Sequence, residues 1–342
     1  MLTLLSDFIL RMREAYLAPP SSDASQKAPR VLIVAHDWGA LLAFRLASEA
    51  PELASRFIVS NAAHPPVILA NIAGRLATAQ QLLRAWARSP RSYRLLAKAA
   101  TSIKPILAQV VKSGYVFTFL LPRPLTPLLG ALGDLWFFRL INAVAAGDAD
   151  PVAPARTPLG YDLLAGTAGP GAAECDSQAP PPAEGDADGT APQRYSEAVR
   201  RRAATAGWMA KTALYRDGCF AARWAKPLEL MVALAGGQRR ESAAGGLSNL
   251  GPPGALRAPV SLLWGADDVA AENALALDGF ADYFVRGSHV VRIEGCGHWA
   301  PVHPRGVPVF EAVIAWALDG ETRPLSVVLG EVCPMAVVST EK

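Results

Sequence analysis

The sequence predicts an α/β fold, a mostly parallel sheet interrupted by a helical insertion, and three observations predict it. Short apolar runs suited to buried strands recur at 31–35, 57–60, 260–264 and 290–293, each ending in a turn. The first two are joined through an apolar-striped helix, Leu41-Leu-Ala-Phe-Arg-Leu-Ala-Ser, which makes a strand–helix–strand unit with a parallel pair. Between these runs and the last two, from about residue 67 to 247, the pattern becomes helical without obvious strands. The expected organisation is therefore 1–66 and 248–342 as the two parts of one core, with 67–247 as an inserted helical cap.

In order, residues 2–16 place Leu5, Phe8, Ile9 and Met12 at helical spacing, and 19–26 read as a loop. The strand 31–35 runs into a turn centred on Asp37, and a helix starts at Trp38. The strand 57–60 ends in Asn61-Ala-Ala-His-Pro. In the insertion, 72–100 and a stretch around 196–215 read as helices. Residues 165–193 lack large apolar side chains, predicting a disordered loop. The stretch 235–257, with Gly-Gly-Gln-Arg-Arg-Glu-Ser and Gly-Pro-Pro-Gly, returns the chain to the core. Strand 260–264 leads to Gly-Ala-Asp-Asp268, and 270–283 reads as helical. Strand 290–293 leads to Glu294-Gly-Cys-Gly-His298-Trp. The closing helix 307–318 shows Phe310, Val313, Ile314 and Ala317 on one face, and the apolar piece at 325–329 has no assigned place.

With 342 residues, 51% of them hydrophobic, the chain can bury a substantial core. Its net charge is only +3 and no long Lys/Arg run occurs, so nothing points to nucleic acid or an acidic membrane surface. Cys175, Cys219, Cys296 and Cys333 form neither a CxxC pair nor a dense set, which fits reduced thiols and a cytoplasmic location. No secretory signal is visible. The most apolar region, 105–146, is broken by Lys112, Arg123, Asp134 and several prolines, so no membrane span is expected. His36, His64, His289 and His303 show no metal-ligand spacing, and no metal is inferred.

A sharp strand–turn–helix can thrust one side chain out over the end of a sheet, provided that the residues two positions either side are small. Ala35 and Gly39 meet that need around Asp37, and no GxSxG occurs anywhere, so a carboxylate stands where a serine nucleophile would. The plainer alternative is that Asp37 caps the helix beginning at Trp38. His36-Asp-Trp-Gly39 at such a turn resembles the epoxide hydrolases and haloalkane dehalogenases of the α/β-hydrolase superfamily, which attack an alkyl carbon through Asp. Trp264-Gly-Ala-Asp-Asp268 and Gly295-Cys-Gly-His298-Trp resemble the superfamily's later stations for the acid and the histidine, in the expected order.

The resemblance implies an α/β-hydrolase core and a triad of Asp37, His298 and Asp268, with Asp267 a near rival for the acid. It implies opening of an electrophilic carbon by Asp37, then hydrolysis of the alkyl ester by water that His298 activates. An epoxide oxygen leaves as an alkoxide and needs a proton, which a phenol can supply. Tyr215, in Ala-Leu-Tyr-Arg, resembles the family's cap tyrosine, and Tyr115 resembles a second. Trp38 and His36 are the candidates for oxyanion and substrate binding. Phe117, Phe119, Trp136, Phe137, Phe138, Trp208 and Trp224 are expected around an apolar pocket. The implied substrate is a small apolar epoxide, without cofactor. A halide substrate stays open through Trp38.

One feature departs from the family. Its His-Gly-x-Pro loop, the source of a second anion-hole donor, has no counterpart, and only 36 residues precede Asp37. The expectation is that the early strands are missing, through a truncated gene model or a short form with an open sheet edge. That keeps a catalytically silent binding protein as a further alternative.

Overall fold

The computed structural model describes residues 1–17, 30–122, 124–125, 213–216, 218, 223–238 and 251–341. Within them the chain is mixed α/β on a mostly parallel sheet. In order run α1 (Leu2–Tyr16), β1 (Leu32–His36), α2 (Trp38–Glu49), β2 (Arg56–Ser60), α3 (Pro65–Arg88), α4 (Tyr93–Lys112), α5 (Gly114–Phe119) and α6 (Ala213–Arg216). They are followed by α7 (Leu228–Gln238), β3 (Val260–Gly265), α8 (Asn273–Ala276), β4 (His289–Ile293), α9 (Val307–Leu318), α10 (Leu325–Val332) and β5 (Ala336–Glu341). Two compact units result, 1–112 with 219–342, and 113–218. The expected disordered loop at 165–193 lies outside the described residues.

The sheet order is β1-β2-β3-β4-β5. The first four strands are parallel, because each connection crosses through helix, and β5 returns antiparallel along β4. Side-chain alternation sorts the core into two layers. Phe57, Val59, Leu262, Trp264 and Val290 face one layer, with α2 residues such as Phe44. Ile58, Leu263, Val291 and Ile293 face the other, where α9 and α10 lie. β2 and β3 are buried along their whole lengths, whereas Val34 in β1 is 49% exposed. Among the described residues β1 pairs on one side only.

Several local expectations are revised. The α1 residues turned to the core are Leu2, Leu5, Ser6 and Ile9, while Phe8 and Met12 are exposed, because Arg13 anchors the helix by donating to Glu52 O at 2.6 Å. The stretch 72–100 is a hairpin of two helices turning at Ser89–Pro90, where Trp86 Nε1 donates to Pro90 O at 3.1 Å. Only Asn273–Ala276 and a 3-10 turn form within 270–283, because Gly279 adopts φ 68° between them. The unassigned tail becomes α10 and β5, with Leu325 and Leu329 buried beneath the sheet.

Arg56, wholly buried, secures that tail. Its Nε and Nη2 donate to both oxygens of Glu321 at 2.9 and 2.6 Å, its Nη1 to Ser261 Oγ, and its ring-side face stacks over Trp316. Losing one partner of such a buried pair typically costs about 3–5 kcal/mol.

His64, just before α3, is buried among Phe44, Phe280 and Tyr283. Its Nε2 donates to Gly254 O at 2.7 Å, and its Nδ1 has no partner among the described residues. Burial therefore lowers its pKa to about 4, against the backbone bond, which raises it. The unfolded chain binds this proton near pH 6.5 and the folded chain does not, so stability is complete above 6.5 and declines as pH falls towards 4. The difference amounts to about 3 kcal/mol. Denaturant titrations at both ends of that window should show the decline, and His64→Phe should flatten it.

Candidate active site

Asp37 follows β1 directly and adopts φ 50°, ψ −120°, a conformation that L residues rarely hold. The turn is pinned on both sides: Asp37 N donates to Ser60 O at 3.1 Å, and Leu41 N to Asp37 O at 3.1 Å. A Cβ at Gly39 would lie 3.8 Å from Ala35 Cβ, so two small residues fit here and two large ones would not. Asp37 sits at the N-cap position of α2, yet its carboxylate makes no capping bond. It is 38% exposed and its Oδ1 lies 3.7 Å from His298 Nε2.

His298 follows β4, and its side chain is 8% exposed. Its Nδ1 lies 3.1 Å from Asp268 Oδ2. A carboxylate only accepts, so Nδ1 carries the hydrogen and Nε2 turns a lone pair towards Asp37. Burial pulls the His298 pKa down, but the Asp268 hydrogen bond and the charges of Asp268 and Asp37 outweigh it, and the net direction is upward.

Asp268, not the exposed Asp267, is the acid that meets the histidine. Four donors converge on its buried carboxylate: Ala270 N at 2.7 Å and Ala271 N at 3.1 Å on Oδ1, Asn61 Nδ2 at 2.8 Å and His298 Nδ1 on Oδ2. Burial raises its pKa, while these bonds and the His298 charge lower it further, leaving it below the ordinary 3.8. Asp268 is thereby held charged beside the ring.

Two supports were not anticipated from the sequence. Asn61 follows β2 at φ 46°, and its Oδ1 accepts from Ser60 Oγ at 2.8 Å, which orients the amide nitrogen at Asp268. The last turn of α4 grips the acid loop from outside: Lys112 Nζ donates to Asp268 O and Ala271 O at 3.1 and 2.9 Å, and Gln109 bonds Ala270 O and Glu272 N. Asn at the end of a buried strand was visible in the sequence. The Lys112 contact, 156 residues distant in the chain, was not.

His36 Nε2 donates to His298 O at 2.8 Å, and its ring packs against His298 and Trp299. His36 thus braces the segment that carries His298. Its pKa is lowered, first by burial and then by the His298 charge. Trp38 begins α2, with its backbone N–H in the first turn. The β3 end must lie very close to this segment: a Cβ at Gly265 would come within 2.2 Å of Gly297 O. Gly265→Ala should therefore force the 296–297 backbone to shift and lower the thermal midpoint by a few degrees.

Tyr115 and Tyr215 belong to the other unit, 113–218, which brings them together. Their ring centroids are 6.2 Å apart, Phe119 packs against both, and Arg216 fixes the adjoining strand of chain by donating to Phe119 O at 2.6 Å. Of the expected pocket aromatics, Trp224 instead packs on the core and donates to Thr3 Oγ1 at 3.1 Å, and Phe117 is exposed. Trp136, Phe137, Phe138 and Trp208 lie outside the described residues.

No protein-family model matches the chain, and no curated protein does. Among solved structures, an epoxide hydrolase from Bacillus megaterium in complex with an inhibitor is similar at 17% identity and a TM-score of 0.39, over 93% of this chain and 75% of that one. A point mutant of a Bacillus megaterium epoxide hydrolase, complexed with its naphthyloxy-propanediol product, is similar at 16% identity and a TM-score of 0.43, with the same coverage.

Proposed function

We propose that this chain is an α/β-hydrolase that adds water to a small apolar epoxide to give a vicinal diol. The observation that carries this is one buried histidine set between two unlike carboxylates. Asp268 is saturated by four donors, whereas Asp37 stands on a strained turn, uncapped and accessible. A saturated carboxylate can only orient the ring and stabilise its charge. An accessible one can attack.

In the first step an Asp37 oxygen bonds to an epoxide carbon, the carbon–oxygen bond of the ring breaks, and the alkoxide takes a phenolic proton from Tyr215 or Tyr115. In the second, His298 Nε2 removes a proton from water, and hydroxide attacks the ester carbonyl. The ester's acyl–oxygen bond breaks, the diol leaves with the proton from His298, and the regenerated carboxyl group returns the phenol's proton. The backbone N–H of Trp38 is suited to the oxyanion of that second step.

The tyrosines separate an epoxide from a halide substrate, since a halide leaves without a proton. Steady-state assays of the Tyr115→Phe, Tyr215→Phe double variant on a terminal aryl epoxide and a primary bromoalkane decide this. Loss of about 100-fold to 10,000-fold confined to the epoxide supports the proposal. Turnover of the bromoalkane alone, unchanged in the variant, makes the chain a dehalogenase. Neither substrate reacting with the unmodified chain would favour a silent binding protein.

A further inference from the structure

We propose that the α3–α4 hairpin docks this protein on an anionic lipid bilayer. The inference does not depend on the chemistry of the site. The small net charge conceals a strong local asymmetry: between Glu52 and Asp134 the sequence contains no acidic residue. At the distal turn of the hairpin, Arg84 and Arg88 end α3, Arg91 lies in the turn, and Arg94 and Lys98 open α4. All five are exposed, and none makes an ion pair or side-chain hydrogen bond among the described residues. Helical spacing and a tight turn gather what the sequence disperses, which revises the expectation drawn from the charge total. The first turn of α4 carries Arg94 and no acid, the reverse of what the helix dipole favours, so an outside anion would relieve it.

The same hairpin exposes an apolar face. Ala79 and Ala99 are buried at the helix–helix seam, and Ser102 Oγ donates to Arg75 O across it at 2.9 Å. To one side of the seam, Asn71 and Arg75 from α3 and Gln109 and Lys112 from α4 grip the core segment 268–278. Rotating by 100° per residue puts Leu69, Leu76 and Leu83 on the other side of α3, 65, 49 and 39% exposed. Tyr93, Leu96 and Leu107 continue that side on α4, again exposed. The result is an apolar surface ending in a cationic tip, with Trp86 and Tyr93 near it.

Charge complementarity chooses the occupant. Basic residues around an apolar face with interfacial aromatics match a bilayer surface, where lipid tails cover the leucines and phosphates answer the arginines. A second copy would oppose like charges. Nucleic acid would leave the leucines in water.

Co-sedimentation with vesicles of phosphatidylcholine alone, or mixed with phosphatidylglycerol, tests this. The full chain should bind the mixed vesicles at low salt, release from them as salt rises, and ignore phosphatidylcholine. The Arg88→Glu, Arg91→Glu, Arg94→Glu variant should bind the mixed vesicles about 100-fold less tightly, with its thermal melt unchanged. Should that variant fail to fold, Leu76→Ser with Leu83→Ser provides the second test and should also weaken binding. The proposal is overturned if the unmodified chain does not bind at low salt, binds both vesicles equally, or prefers duplex DNA added in competition. A concentration-dependent dimer in sedimentation velocity that Leu76→Ser with Leu83→Ser abolishes would likewise assign the face to a second copy.

Discussion

Asp37→Ala should abolish epoxide turnover, lowering kcat by about 10,000-fold or more. The size follows from the role: with the carboxylate gone no ester forms, and His298 has no bond to hydrolyse. Asp37 already bears the strain of φ 50°, ψ −120°, and alanine would inherit it, so the thermal melt should shift by no more than a few degrees while activity vanishes. A stability change that tracked the activity loss would mean that Asp37 merely shapes the turn. Measured ligand binding should survive, because the site loses only one polar group.

His298→Gln should also stop turnover, but at the second step. The nucleophile remains, so mixing with epoxide should give one stoichiometric addition of substrate mass to the protein, stable over minutes and absent in Asp37→Ala. In the unmodified protein His298 must be neutral to accept water's proton. Burial lowers its pKa and the Asp268 hydrogen bond and charge raise it, while Asp37 carries no charge once esterified, so activity should fall as pH drops through the value at which His298 takes up a proton. Asp268 stays charged throughout that range. A pH–rate profile with no acid limb would contradict this role for His298.

The strands that position the site were legible because each buried parallel strand is a short apolar run, and their expected bounds shifted by a single residue. That Asp37, Asp268 and His298 would come together was legible because each lies in the loop that follows such a run, where a parallel sheet presents its carboxyl ends together. Asp267 against Asp268 was not, since the choice depends on which carboxylate turns inward. What sequence could not supply was tertiary choice. The exposed Phe8 and the buried Ser6 differ by packing against the rest of the core, not by helical period. The tail was unreadable for the same reason: β5 exists only because β4 offers an edge, and Arg56 reaches Glu321 across 265 residues.

The central claim is that Asp37 itself bonds to the substrate carbon, and isotopic labelling tests it most directly. In a single turnover carried out in heavy-oxygen water with enzyme in excess, the new diol oxygen should come from the Asp37 carboxylate, leaving the product unlabelled. The heavy atom should then appear in the peptide containing Asp37. Label entering the diol in that first turnover would mean that water attacks the epoxide directly, and Asp37 would not be the nucleophile.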